Sequence, residues 1–291
     1  MDNKNQIKWL LNAATSTFNQ ISDTAKLDAE ILMCHVLDCN RTYLFTWPDK
    51  VLDETQIALF HQLCAKRQAG HPIAHIVGYR AFWTLNLKVT PTTLIPRPDT
   101  ETLVEHALLL VAEQKDNQQY EHLTGLDLGT GTGAIALSLA SELPHWDWLA
   151  ADFIADAVTL AQENAELNGI TNCKIIQSDW FEQIPNTKFN LIVSNPPYIE
   201  ENDPHLKQGD VRFEPLSALT AADNGLSDIK KIVSQAKDYL HDNGLLIIEH
   251  GNTQGEAIRD VFIQNGYRNT STIKDLSEND RITVGYFKLM G

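Results

Sequence analysis

The sequence is poor in cysteine: Cys34, Cys39, Cys64 and Cys173 are its four, and no two are spaced as CxxC. The common zinc-ribbon and thiol-redox motifs are thereby excluded, no metal is expected, and free thiols in a reducing compartment are the expectation. Long apolar runs are missing too. HALLLVA at 106–112 is the longest strongly apolar run, far short of the roughly 20 residues that span a bilayer. The opening MDNKNQIKWL lacks the apolar centre of an export signal. A cytoplasmic protein with no membrane contact is therefore expected. Basic charge is scarce. The chain of 291 residues carries 23 Lys+Arg against 38 Asp+Glu, a net charge of −15. The deficit is uneven: residues 1–90 hold 9 basic and 8 acidic residues, residues 91–291 hold 14 and 30. A phosphate backbone needs a basic footprint, so direct nucleic-acid binding is not expected. A cationic ligand or a basic protein partner suits such a surface. Internal repeats and low-complexity tracts are absent.

Hydrophobic residues at 43% and charged residues at 21% are ordinary for a globular chain long enough for more than one domain. Residues 1–75 read as helices. Ile7, Leu10, Leu11, Ala14 and Phe18 share one helical face. Ser22 or Asp23 is placed to cap a second helix bearing Leu27, Ile31 and Cys34, and Ile57, Phe60, Leu63 and Cys64 mark another apolar stripe. No catalytic constellation lies here, so a small helical domain for substrate recognition is expected at 1–75. Residues 76–95 change period and read as a β-hairpin linker, and 96–291 form the catalytic domain. In LIPRPDTE (94–101) the two prolines hold Arg97 in a fixed direction, and Asp99 or Thr100 is placed to cap the helix beginning near Glu101.

From residue 124 strands and helices alternate, which predicts a parallel α/β sheet. Strands are expected near 124–128, 146–151, 173–177, 189–194 and 244–248, with a last pair near 267–273 and 282–289. Helices are expected near 101–114, 132–142, 154–168, 227–241 and 253–264.

Three successive strands end in polar motifs. The first runs into DLGTGTGA, where Gly129, Thr130, Gly131, Thr132 and Gly133 form a turn whose N–H groups can meet an anion at a helix N-terminus. The second ends at Asp152, a carboxylate placed for ribose hydroxyls. The third ends in Ser178-Asp179-Trp180: Asp179 can accept from an adenine amine and Trp180 can cover the ring. Gly129-x-Gly131-x-x-Ala134 also fits the dinucleotide fingerprint, so a nicotinamide dehydrogenase is a rival. Against it stand Asp127, whose charge opposes a pyrophosphate but not a sulfonium, Asn164 and Asn168 in place of a substrate base, and the acid–aromatic end of the third strand. These favour S-adenosylmethionine, with its carboxylate at the helix N-terminus.

The fourth strand, FNLIVS, stops in Asn195-Pro196-Pro197-Tyr198. The prolines remove two N–H donors. They leave a backbone carbonyl and the Asn195 amide oxygen as acceptors, beside the flat face of Tyr198. Two acceptors and a plate suit a planar –NH2 group, although a proline-rich loop after a strand is the plain structural alternative.

On these motifs the chain resembles the class I methyltransferases whose Asn/Asp-Pro-Pro-Tyr/Phe loop methylates planar nitrogens. GYRAFW (78–83), LIPRPDTE (94–101), DLGTGTGAIALSLA (127–140), SDW (178–180), SNPPYI (194–199), RFEPLSAL (212–219) and EHG (249–251) narrow it to resemblance with the release-factor glutamine methyltransferases. The resemblance implies a Rossmann-like sheet of seven strands, the last antiparallel, with a small helical N-terminal domain. It implies that S-adenosylmethionine is held by Gly129–Gly133, Asp152 and Trp180, to which the residues themselves add Asp179, with Asn195 beside it. It implies that Asn195, Pro196, Pro197 and Tyr198 bind the glutamine of the Gly-Gly-Gln loop of class I peptide-chain release factors, Asn195, Pro196 and Tyr198 being catalytic. Asn243-Gly244 departs from the Gly-Gly pair expected before the fifth strand. Glu249, His250, His205 and Glu214 read as structural. An adenine-amine DNA or RNA methyltransferase, which uses the same loop on a flipped base, and a non-catalytic donor-binding or protein-interaction module remain as alternatives.

Overall fold

A computed structural model describes residues 4–114 and 122–288. They divide into two units, Met1–Tyr79 with Pro204–Phe213, and Arg80–Asp203 with Glu214–Gly291. The expected boundary at 75/76 lies a few residues earlier than this division, and residues 204–213 group with the N-terminal helices rather than with 96–291.

The first unit is helical: α1 (Ile7–Phe18), α2 (Ala25–Leu37), α3 (Arg41–Thr46), α4 (Glu54–Gln68) and α5 (Ile73–Val77). Ile7, Leu10, Ala14 and Phe18 bury the predicted face of α1 against Ala29, Leu32 and Met33 of α2 and Phe60 and Leu63 of α4. The cap of α2 differs from expectation. Thr24 precedes the helix and makes no capping bond; its hydroxyl instead donates to Asp28 Oδ1 at 3.0 Å. Asp28 is held there because its other oxygen accepts from Arg67 Nε at 2.8 Å. Arg67 is buried, and its Nη1 donates to Asp210 Oδ1 at 2.8 Å. That ion pair gives residues 204–213 their place among the helices, since a buried guanidinium is costly without anionic partners. Asp53 and Gln56 form a reciprocal capping box at the start of α4.

The second unit opens with the hairpin β1 (Tyr79–Phe82) and β2 (Leu85–Lys88) and then α6 (Glu101–Glu113). A seven-stranded sheet follows: β3 (Leu123–Leu128), β4 (Trp146–Asp152), β5 (Cys173–Gln177), β6 (Phe189–Ser194), β7 (Leu240–Glu249), β8 (Tyr267–Lys274) and β9 (Asp280–Phe287), in the order β5-β4-β3-β6-β7-β9-β8. Residue 289 of the expected last strand lies outside the described residues. β3 to β7 are mutually parallel and β9 runs antiparallel to both of its neighbours. Between the strands come α7 (Ala134–Glu142), α8 (Ala155–Leu167), a single kinked turn α9 (Ala222–Gly225), α10 (Ser227–Ala236) and α11 (Gly255–Gln264).

All six residues of β6 are buried, as a strand covered on both faces requires. Leu191 and Val193 face one hydrophobic cluster with Leu103 and Leu137; Ile192 faces the other with Ile229 and Ile258. At Asn243 the departure from Gly-Gly has a local reason: φ is +59°, a left-handed conformation that asparagine tolerates better than most residues. The hairpin is tied down by α8. Asn164 Oδ1 accepts from Lys88 N at 2.7 Å, and Asn164 Nδ2 donates to the carbonyls of Lys88 (3.0 Å) and Thr132 (2.9 Å). Among the described residues no helix is long and apolar enough to cross a membrane.

Candidate active site

The chain leaves β3 for β4 and β5 on one side, then crosses to β6 on the other side of β3. The carboxyl ends of β3 and β6 therefore flank the topological switch point, where open α/β sheets bind ligands. Leu128 pairs with Ser194 in register, and Ser194 Oγ donates to the Leu128 carbonyl at 2.7 Å. That bond sets the start of the glycine turn beside the start of the Asn195 loop.

The glycine turn is held by its own backbone. Gly129 N and Thr130 N donate to the Ala151 carbonyl at 2.9 and 3.0 Å, Gly133 N to the Thr130 carbonyl at 2.8 Å, and Gly131 N to Asp152 Oδ2 at 2.8 Å. The expectation of N–H groups left open for an anion is thus corrected for these four residues. Their donors are satisfied within the fold, as buried backbone groups generally are. Glycine is still required for conformation: Gly129 has φ +72°, and a Cβ there would stand 3.5 Å from the Trp180 ring. Beneath the turn, Asp127 has no solvent exposure and accepts from the Thr130 hydroxyl at 2.6 Å. Burial pushes its carboxyl up to about 7, against the Thr130 and Ala136 hydrogen bonds. Asp127 is an anchor for the turn rather than part of the cavity wall.

Asp152, at the end of β4, accepts from Gly131 N and from Ile154 N, the latter at 2.9 Å onto Oδ1. Each carboxylate oxygen keeps a lone pair for a ligand. Burial raises its pKa against these backbone bonds. After β5, the Ser178 hydroxyl donates to the Trp180 carbonyl at 2.8 Å, which holds Trp180 at φ +48° with its ring toward Gly129. Asp179 Oδ1 pairs with Lys231 Nζ of α10 at 2.9 Å.

The Asn195 loop rests on residues from far along the chain. Asn195 Nδ2 donates to Thr100 Oγ1 at 3.3 Å, so Oδ1 is the atom its amide has left to offer. Thr100 makes no capping bond to α6. The expectation of a cap fails because the hydroxyl turns toward Asn195 and Glu249. The Tyr198 hydroxyl lies in hydrogen-bond reach of the same Glu249 carboxylate and of Arg281; burial, and then the Glu249 charge, hold the phenol above its usual range. The Tyr198 carbonyl accepts from Gln254 Nε2 at 3.0 Å. His250, fully buried, contacts the Gly251 carbonyl and the Thr283 hydroxyl; burial lowers its pKa. Arg97 Nη2 donates to Glu214 Oε1 at 2.7 Å.

A cavity of about 330 Å³ lies over these strand ends. Gly129 to Thr132, Asp152, Asp179, Trp180, Asn195 and Pro197 line it, and so do Thr92, Thr93, Leu94, Arg97, Thr100, Ser217, Ala218 and Asp228. Gly133, Pro196 and Tyr198 are not among its lining residues. Sequence reasoning missed Asp228, Lys231 and the 92–94 and 217–218 segments. Leu94, Ser217 and Ala218 lie in the rigid LIPRPDTE and RFEPLSAL stretches, which the Arg97–Glu214 pair joins, while nothing local marks Thr92, Thr93, Asp228 or Lys231. The size is within the usual small-molecule range. Carboxylates at Asp152, Asp179 and Asp228, with an indole at Trp180, fit a cationic adenosine carrying an amino acid.

A parallel sheet with one reversed strand, a glycine turn after the first of its strands in chain order and an acid after the next define a class I S-adenosylmethionine-dependent methyltransferase. Two family matches agree: "PrmC N-terminal domain" over residues 10–78 and "Methyltransferase domain" over 120–283. The release factor glutamine methyltransferase of Aliivibrio fischeri is 52% identical, with 91% of each chain covered. That of Escherichia coli K12 is 49% identical over 96% of this chain and 98% of its own. The chain belongs to the release factor glutamine methyltransferase family. Among solved structures, a methyltransferase from Pyrococcus furiosus aligns with TM-score 0.52 at 17% identity, over 77% of this chain and 98% of that one. The hMettl16 catalytic domain in complex with MAT2A 3'UTR hairpin 1 aligns with TM-score 0.55 at 15% identity, over 78% and 81%. At these identities the likeness is one of fold alone.

Proposed function

We propose that this protein methylates the side-chain amide nitrogen of the glutamine in the Gly-Gly-Gln loop of class I peptide-chain release factors, in the cytoplasm where translation ends. When bound, S-adenosylmethionine supplies an electrophilic methyl group on a sulfonium. The observation that carries the reading is the Asn195 amide: its Nδ2 is engaged by Thr100, and it stands in the cavity wall beside the glycine turn.

An amide nitrogen is a poor nucleophile because its lone pair is delocalised into the carbonyl. In this reading the Asn195 Oδ1 and the Pro196 carbonyl accept its two N–H bonds, draw it toward sp³ character and aim it at the donor. Pro196 and Pro197 hold the carbonyl direction, and Tyr198 packs on the amide plane. Positioning supplies much of the rate, and the two acceptors strengthen as positive charge grows on nitrogen. No strong base is needed, since the methylated nitrogen loses its proton readily. Asp152 takes the ribose hydroxyls, Asp179 the adenine amine and Trp180 the ring face; Gly129, Thr130, Gly131, Thr132 and Gly133 shape the floor.

Residues 1–75 serve recognition of the protein substrate, and the acidic 91–291 region favours a basic protein over a nucleic acid. The test is methyl transfer from labelled donor to a purified release factor, to its Gln-substituted variant, and to duplex DNA. Label in the wild-type factor alone is expected; label in DNA and none in the factor overturns the reading.

A further inference from the structure

We infer that Thr100 and Glu249 are positioning residues: the Glu249 carboxylate, acting through the Thr100 hydroxyl, decides which end of the Asn195 amide faces the substrate. This rests on Asn195 being the acceptor for the substrate amide.

Three groups form a chain under the loop. Glu249, at the end of β7, is 1% exposed, and Thr100 is 4% exposed. The Thr100 hydroxyl faces the Glu249 carboxylate and accepts from Asn195 Nδ2 at 3.3 Å. A hydroxyl has one proton to give. An ionised carboxylate only accepts, so it takes that proton. Thr100 then only accepts from Asn195, which must present its NH2 inward and its oxygen outward. A protonated acid or an amide in its place keeps an acceptor oxygen but adds a donor, so the order is no longer fixed and every bond is free to reverse. Thr100 would receive from it, donate to the Asn195 oxygen, and leave Asn195 NH2 facing the substrate NH2. Two donors then meet, and the substrate nitrogen loses an acceptor.

The surroundings hold the acid at this junction. Tyr198 places its hydroxyl on the same carboxylate, and Arg281 of β9 and Asp99 beside α6 are the charged groups that face it. Arg281 is shared with Asp275, at 2.9 Å, and with Asp99, at 3.4 Å. Glu249 Oε2 is buried without a hydrogen-bond partner, so the group is one proton away from changing its role. Burial lifts the carboxyl to about 7, against the Thr100 and Tyr198 hydroxyls and Arg281. The amide orientation therefore changes with pH: above this range the carboxylate holds Asn195 in the accepting orientation, and below it the acid releases it. A bound cationic donor moves the limb lower.

The experiment measures kcat and KM for methylation of a purified release factor between about pH 5.5 and 9, with S-adenosylmethionine affinity measured by calorimetry. It compares full-length wild type with Thr100→Val, Thr100→Ser and Glu249→Gln. Thr100→Val and Glu249→Gln should lose about 10²–10³ in kcat, the usual cost of one transition-state hydrogen bond, with donor affinity and KM little changed. Thr100→Ser should restore most of the loss, and the acidic limb of wild type should vanish from the residual activity of Glu249→Gln. Wild-type kcat in Thr100→Val overturns the inference. So does a Thr100→Ser as impaired as Thr100→Val, a limb that survives in Glu249→Gln, or lost donor binding in Thr100→Val. A wild-type protein that transfers nothing to the factor overturns instead the substrate reading on which the inference stands.

Discussion

Arg97 Nη2 and Glu214 Oε1 meet at 2.7 Å across 117 residues of chain. The Glu214 side chain has no solvent exposure and that of Arg97 is 32% exposed. The pair closes one side of the cavity by joining the two proline-flanked segments. A double-mutant cycle with Arg97→Gln and Glu214→Gln, followed by urea unfolding, should show a coupling of about 1–3 kcal/mol. Simple additivity would mean that the segments are held by packing alone.

Asn195→Ala removes the proposed acceptor without touching the donor floor. Its kcat should fall by at least about 10²-fold, while S-adenosylmethionine affinity stays near that of wild type. Single-turnover transfer to a release factor separates the two quantities, and an active variant refutes the assignment.

Gly225 was not singled out by its sequence context, yet it bears on the same loop. Its φ is +79°, and a Cβ there would collide with the Tyr198 carbonyl oxygen. That carbonyl is also the acceptor for Gln254. Gly225→Ala should push the loop out of register and lower kcat more than donor affinity. Unchanged turnover would show that the loop yields freely.

Trp180 faces the turn at Gly129, so Trp180→Ala should weaken donor binding by about 1–3 kcal/mol, the range for base–aromatic stacking. Trp180→Phe should recover part of it. Calorimetry gives both values. In the same protein S-adenosylmethionine should raise the melting temperature and NAD should not; the reverse would restore the dehydrogenase reading.

Asp127 has its folded pKa raised from 3.8 to about 7 by burial. The folded state therefore binds the proton more tightly than the unfolded one. The stability from this group is fully present below about pH 4 and is lost as pH rises through about 7. Asp127→Asn, which keeps an acceptor for Thr130, should flatten the fall in melting temperature between pH 5 and 8. Glu249 carries the same sign, so part of the slope remains. An unchanged slope would mean that Asp127 is ionised throughout.

The periodicities of the chain carried the element order because they are local. A strand covered on both faces is largely apolar, as Phe189–Val193 is apart from Asn190, and a helix packed on one side must repeat every three or four residues, as α1 does. The glycine turn, Asp152, Asp179, Trp180 and the Asn195 loop were legible for the same reason: each sits where a strand ends, and a polar motif there breaks the pattern visibly. Strand order left no such mark. Nothing local says that β9 inserts between β7 and β8, or that Pro204–Phe213 returns to Arg67.

The clearest division lies at residues that seemed settled by their neighbours. Thr100 reads as a helix cap and Glu249 as a structural acid, because the sequence shows only each residue's neighbours along the chain. Only the tertiary structure brings α6, β6 and β7 together at the switch point and turns the Thr100 hydroxyl away from its own helix. By itself the sequence determined the class of fold and the donor, and it marked the Asn195 loop as the proposed reacting segment. The tertiary structure decided which backbone donors are already satisfied and which hydroxyl meets the Asn195 amide. The physical reason is that hydrogen-bond polarity passes between elements through space, not along the chain.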